Sequence, residues 1–225
     1  MLARMAPTPV YLEVGSKKVF ACSLDWPGWC RAGRTEEAAL EALAAYAGRY
    51  AAVPGVAGLR FPSTAGHTFE VRERVGGSAT TDFGAPGTAA SADAEALTAA
   101  QARRLASLLE AAWMVLAAAA DSAPDHLRKG PRGGGRDRDA VVAHVAASEF
   151  GYARRIGVRH KAPDDAGADP EAVEALRADV LEAIRSARAA RPAEEKGWPP
   201  RYAVRRFAWH ALDHAWEIED RSTGS

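Results

Sequence analysis

The feature that most constrains this chain is a change of hydrophobic period near residue 88. Up to about Gly87, apolar residues fall in short β-branched and aromatic runs with one helical stretch. After Ala92 they recur at spacings of three and four almost to the end. The join, Gly84-Ala85-Pro86-Gly87-Thr88, has glycine and proline and no period, which reads as a linker. The expectation is an α+β chain of two domains, a small sheet-plus-helix domain over 1–87 and a helical domain over 92–225. A length of 225 residues suits two modest domains, given ~100–200 residues for each.

In the first part, residues 10–14 and 19–24 are strand-like, and Gly15-Ser16-Lys17-Lys18 between them predicts a hairpin. Asp25-Trp26-Pro27-Gly28-Trp29 reads as a turn. Thr35 is placed to cap a helix whose first turn carries Glu36 and Glu37, favourable at the positive end of the helix dipole. Leu40, Leu43 and Ala47 continue it to about Tyr50. Residues 68–75 alternate, with Phe69 and Val71 on one face and Glu70 and Arg72 on the other, as in a half-buried strand.

The second part predicts four amphipathic helices over 93–120, 139–158, 170–190 and 200–221, the last two opened by prolines at the first turn. Four such helices with polar connections predict an antiparallel four-helix bundle.

The chemistry-bearing pattern lies on these helices. In the last one, Phe207, His210, His214 and Ile218 fall at spacings of three, four and four. Residues four apart on a helix have Cβ atoms ~6 Å from each other, so two imidazoles there can reach one ion. In the second helix, Val141, His144, Ser148 and Tyr152 form a similar stripe, which turns His144 inward as well. A lone buried histidine is ordinarily a hydrogen-bonded core residue. Three in one apolar interior leave donors and acceptors to satisfy, and a divalent metal taking one nitrogen from each does so. The second nitrogen of each ring needs an acceptor, for which Asp213, Glu217 and Glu149 are the nearby candidates. Glu217, one turn beyond His214, is also a candidate fourth ligand or general base; Glu149 is the other candidate acid. His67, His126 and His160 fall in loops or at a helix end, and read as solvated or capping residues.

Charge and composition narrow the classes. Lys plus Arg and Asp plus Glu are both 29, a formal net charge of +0, so the basic excess of a general nucleic-acid binder is missing. The longest apolar run, residues 111–120, is about half the ~20 residues a bilayer-spanning helix needs. No signal-peptide layout is read at the start. The expectation is a cytoplasmic protein without nucleic-acid or membrane partners. Two cysteines, Cys22 and Cys30, give no disulfide framework and read as structural.

The order and placement of His144 in Val142-Ala143-His144-Val145-Ala146-Ala147-Ser148-Glu149, followed by Trp209-His210-Ala211-Leu212-Asp213-His214, resemble the DinB-like superfamily over about residues 92–221. The resemblance implies a four-helix bundle with a histidine on its second helix and an H-x-x-x-H pair on its last. It implies a divalent metal, zinc or nickel first among them, held by His144, His210 and His214. It also implies thiol-dependent transfer or isomerisation of a small-molecule substrate with a bacterial low-molecular-weight thiol such as mycothiol or bacillithiol. By the same analogy such bundles pair as homodimers. The first part is similar to the HicB-like fold, through Val19-Phe20-Ala21, Leu24-Asp25-Trp26-Pro27-Gly28-Trp29-Cys30, Gly33 and Thr35-Glu36-Glu37-Ala38. The DNA-binding element of HicB-like antitoxins has no counterpart here, so the resemblance implies the fold alone.

Three readings therefore stand: a metal-dependent thiol S-transferase or isomerase; a non-enzymatic interaction module in which a HicB-like domain binds a partner, through a patch at Trp26 and Trp29, with the bundle as scaffold; and metal storage or sensing, disfavoured because one compact site alone is visible. Arg128-Lys129-Gly130-Pro131-Arg132-Gly133-Gly134-Gly135-Arg136 would suit an anionic entrance, though it lacks a P-loop ending and reads first as a solvated loop. Arg154, Arg155, Arg205 and Arg206 read as surface ion pairs, and Trp209 and Trp216 as core.

Overall fold

A computed structural model describes residues 6–130, 134–167, 169–188 and 197–222. Residues 131–133 of the glycine-rich run lie outside the described residues, while the helix expected to reach 190 ends at Ser186, with Ala187 extended. The chain is α+β, a small four-stranded mixed sheet followed by several helices.

Strands β1 (Thr8–Val14) and β2 (Val19–Ser23) form the expected hairpin, with Val10 opposite Ser23 and Val14 opposite Val19. A strand the sequence did not announce, β3 (Cys30–Gly33), adds antiparallel to β2 and sets Cys22 across from Cys30. That register joins the two as a disulfide, a pairing that eight residues of spacing did not reveal. Strand β4 (Phe69–Gly76) runs parallel to β1, with a register shift at Val10 and Tyr11, giving the order β3-β2-β1-β4.

Helix α1 (Glu36–Ala45) starts as expected, the Thr35 hydroxyl accepting from the Ala38 amide. It stops at Tyr46, earlier than periodicity suggests, and the chain continues as two short turns, α2 (Ala47–Tyr50) and α3 (Ala52–Val56). The break lets Tyr50 enter the core, where its ring stacks 5.7 Å from Trp29 and its hydroxyl donates to the Pro27 carbonyl. Trp29 is fully buried and its indole N–H donates to the Leu43 carbonyl; Trp26 packs edge-on against Phe61. Trp29 is therefore core packing, and Trp26 is partly buried against that core.

The turn is also fixed against the helices. Gly28 has φ +88, and a Cβ there would lie 2.6 Å from Leu212 Cδ1 and 3.0 Å from Ala208. Glycine is needed for both the backbone angle and the contact. The expected linker is pinned as well. Glu13, fully buried, accepts from the Gly87 and Thr88 amides and the Thr81 hydroxyl. Thr81 belongs to a short helix, α4 (Ala79–Phe83), capped by Ser78. One apolar core runs from Val10, Leu43 and Tyr50 through Leu108 and Leu109 to Leu212 and Ile218.

Four long helices follow: α5 (Ala99–Ser122), α6 (Arg138–Arg155), α7 (Pro170–Ser186) and α8 (Pro200–Ser222). Helix α5 contacts α7 and α8, and α8 contacts α6. The sequence placed the start of the first at Asp93. Instead residues 91–94 form a 3-10 turn, and α5 begins after Thr98, whose hydroxyl caps the Gln101 amide while the Gln101 side chain accepts from the Thr98 amide. Asp93 is drawn away because its buried carboxylate pairs with Arg205 and accepts from the Ala90 amide. Helix α5 is long and apolar enough to cross a membrane by length and composition. It lays Leu105, Leu108, Leu109, Ala112 and Leu116 into the core.

Candidate metal centre

Helices α6 and α8 place three imidazoles side by side. His144 comes from the second turn of α6, His210 and His214 from successive turns of α8. Their ring centroids lie 5.1 Å (His144 to His210), 5.1 Å (His144 to His214) and 4.8 Å (His210 to His214) apart. One ring nitrogen from each falls within 4.8 Å of the others. Metal–nitrogen bonds of ~2.0–2.1 Å set ligand nitrogens of a tetrahedral ion ~3.3 Å apart. Side-chain rotation would be needed to bring the three nitrogens from within 4.8 Å to that spacing.

Local structure orients each ring. His214 Nδ1 lies 2.7 Å from Glu217 Oε2, one turn ahead on α8, while Arg221 donates to Glu217 Oε1 at 2.7 Å. A carboxylate at Nδ1 leaves Nε2 of His214 as the outward nitrogen, the usual support for a metal-ligating histidine. The Glu217 carboxyl is held below its ordinary range, first by the hydrogen bond from His214 and then by Arg221, against its burial. His210 is 6% exposed, and its Nδ1 is buried with no hydrogen-bond partner. Burial, reinforced by His214, Arg206, His144 and Arg136, pushes its pKa down to about 2. His144 is lowered by burial and by Arg136. His210 is therefore neutral with a lone pair to offer, which is the state a metal ligand needs.

Of the other acids near the stripe, none joins the cluster. Glu149 turns away into the helix interior, where it accepts from Trp113 Nε1 at 2.7 Å and from Arg177 Nε at 2.8 Å. Asp213 pairs with Arg31 at 2.8 Å. The reason is angular: on α6, five residues from His144 is a different face, and on α8, Asp213 is one residue off the His210–His214 stripe. His126 and His160 pair with Asp137 and Asp179, away from the triad.

The surface roles expected of two arginines do not hold. Arg205 is buried and paired with Asp93. Arg206 lies over the rings of Tyr152 and Trp209, 5.1 and 4.6 Å from their centroids. Tyr152 in turn stands 5.6 Å from His210 and 5.4 Å from Phe207. Tyr152 already stood on the His144 stripe by spacing, and the same periodicity could have found Arg206, four residues before His210. Trp209 stacks beside His210 at 6.1 Å, and Trp216 is buried against Tyr46. The loop before α6 is hooked to the end of α8, where the Arg128 amide donates to the Arg221 carbonyl and Arg221 Nε to the Arg128 carbonyl.

Compared with protein-family models, with curated proteins and with solved structures, the chain matches none.

Proposed function

We propose that this chain binds a divalent metal ion through His144, His210 and His214, and is a metal-dependent enzyme that uses a low-molecular-weight thiol in a transfer or isomerisation reaction. The observation that carries the reading is the meeting of three imidazoles from two helices, one of them with a buried, unpartnered nitrogen. Eight buried side-chain polar atoms among the described residues lack a hydrogen-bond partner, so this nitrogen carries weight through its place in the triad, and three neutral imidazoles suit zinc or nickel. On this reading α5 to α8 form a DinB-like four-helix bundle, and the sheet with α1 forms a HicB-like module.

When bound, the ion supplies Lewis acidity, which favours thiolate over thiol and polarises a carbonyl. The rest belongs to the chain's own residues. Glu217 and Arg221 fix the tautomer and direction of His214. Burial keeps His210 unprotonated. Tyr152, Phe207 and Trp209 wall one side against water, while His144 and His214 keep partial exposure, the side from which a small molecule can arrive. Glu217, engaged by both His214 and Arg221, is a positioning residue on this account and not the general base.

Elemental analysis of purified protein, repeated after reloading with zinc or nickel, tests the reading. The expected result is about one ion per chain, as for a three-histidine site with an open position. No stoichiometric ion in either preparation sinks it. Metal-loaded protein is then screened against bacterial thiols and electrophiles, and His144→Ala is expected to remove turnover while leaving helical circular dichroism intact.

A further inference from the structure

Arg206 differs from the arginines around it. Arg31, Arg177, Arg205 and Arg221 each hold a carboxylate, from Asp213, Glu149, Asp93 and Glu217 in turn. Among the described residues no carboxylate pairs with Arg206; it hydrogen-bonds the Tyr152 side chain, and its Nη1 is buried without a hydrogen-bond partner. It lies on the same stripe as His210 and His214, four residues before the first, a Cβ separation of ~6 Å. A partly desolvated cation without a counter-charge is costly in a folded protein, so its persistence beside the histidines asks for an anionic ligand.

The charge balance says what kind. Neutral imidazoles bring no negative charge to a divalent ion. The nearby acids Glu217, Asp213 and Glu149 are each offset by an arginine. Arg206 adds a positive charge, and so does the exposed Arg136 of the loop before α6, whose charge reaches both His144 and His210. The loaded site is thus strongly positive. A guanidinium offers two parallel N–H groups that match a planar carboxylate, and here it is seated against the rings of Tyr152 and Trp209.

We propose that Arg206 binds a carboxylate on the small molecule whose other end meets the histidine cluster, so that the site selects short carboxylic acids. The inference rests on the metal reading for the position of that other end. A rival partner for Nη1 is a single water, because a cavity of ≈ 10 Å³ lined in part by Arg206 and Trp209 has room for about one.

The test uses the full chain loaded with Co(II), titrated with 3-mercaptopropionate and with 3-mercaptopropan-1-ol, which differ in the carboxylate alone. Binding is read from the near-ultraviolet band of thiol ligation. The acid is expected to bind ~10-fold tighter, the scale of one charge-assisted hydrogen bond. Arg206→Gln should bring the two within about 2-fold, with Co(II) content and the affinity for the alcohol unchanged, and Arg206→Lys should restore part of the preference. Equal affinities in the wild type, or a preference that survives both substitutions, overturn the proposal and leave Nη1 to the water. Failure to take up Co(II) sinks the metal reading instead. The carboxylate is then read on metal-free protein, where propionate but not propanol should saturably change the tryptophan emission of the wild type and leave that of Arg206→Gln unchanged. No acid-specific change there overturns the proposal as well.

Discussion

Helix α6 carries two polar clusters of opposite character. Around Glu149 every polar atom is answered: the carboxylate is 1% exposed and meets Trp113 and Arg177, although burial still pushes its pKa up. Around His144, one helical turn away, the polar groups outnumber their partners. His210 Nδ1 and Arg206 Nη1 are orphaned, and the one carboxylate present already serves His214 and Arg221. Removing a partner from the first cluster damages the fold. The second is incomplete among the described residues, and the proposed binding site rests on that incompleteness.

Substitutions should separate the two. His210→Ala is expected to abolish ion binding altogether, read by elemental analysis, while chelated protein keeps its helical circular dichroism. Retained stoichiometric metal would make the triad a packing feature like its neighbour. Glu149→Ala should do the reverse, costing about 3–5 kcal/mol in denaturant unfolding because it strands a cation beside the core, and leaving metal content unchanged. Glu217→Gln keeps shape but weakens the support of His214. Metal affinity in competition titrations is expected to fall ~10–100-fold, and unaltered affinity would remove Glu217 from the site.

The smallest effect is on pH dependence. His210 has its folded pKa depressed from 6.5 to about 2. Between those values the unfolded chain binds more protons than the folded one, so the group's contribution is present above about pH 6.5 and is lost as pH falls. In chelated protein, melts from pH 7.5 to 5 should show a wild-type loss of up to ~1.4 kcal/mol per unit below that point. The slope should be shallower in His210→Gln, and equal slopes would mean His210 is solvated.

Much of this architecture is legible one residue at a time. The hairpin, the Thr35 cap, the prolines opening α7 and α8 and the inward stripes of α6 and α8 all follow from local spacing. What escaped depended on distant partners. Strand β3 is too short to show a period and exists because β2 lies beside it. Asp93 looked like a helix start because its tie to Arg205 spans 112 positions, from 93 to 205. The segment around Gly87 looked free because Glu13, which holds it, sits on the first strand.

The same division holds at the candidate centre. Sequence alone determined that His210 and His214 share a helix face and that His144 lies on the buried side of another, because a period of 3.6 residues fixes angles around an axis. It could not determine how two helices are rotated and shifted against each other, which depends on packing between residues far apart in the chain. That packing brought His144 to within 5.1 Å of both partners, sent Glu149 to Arg177, and left Arg206 without a carboxylate.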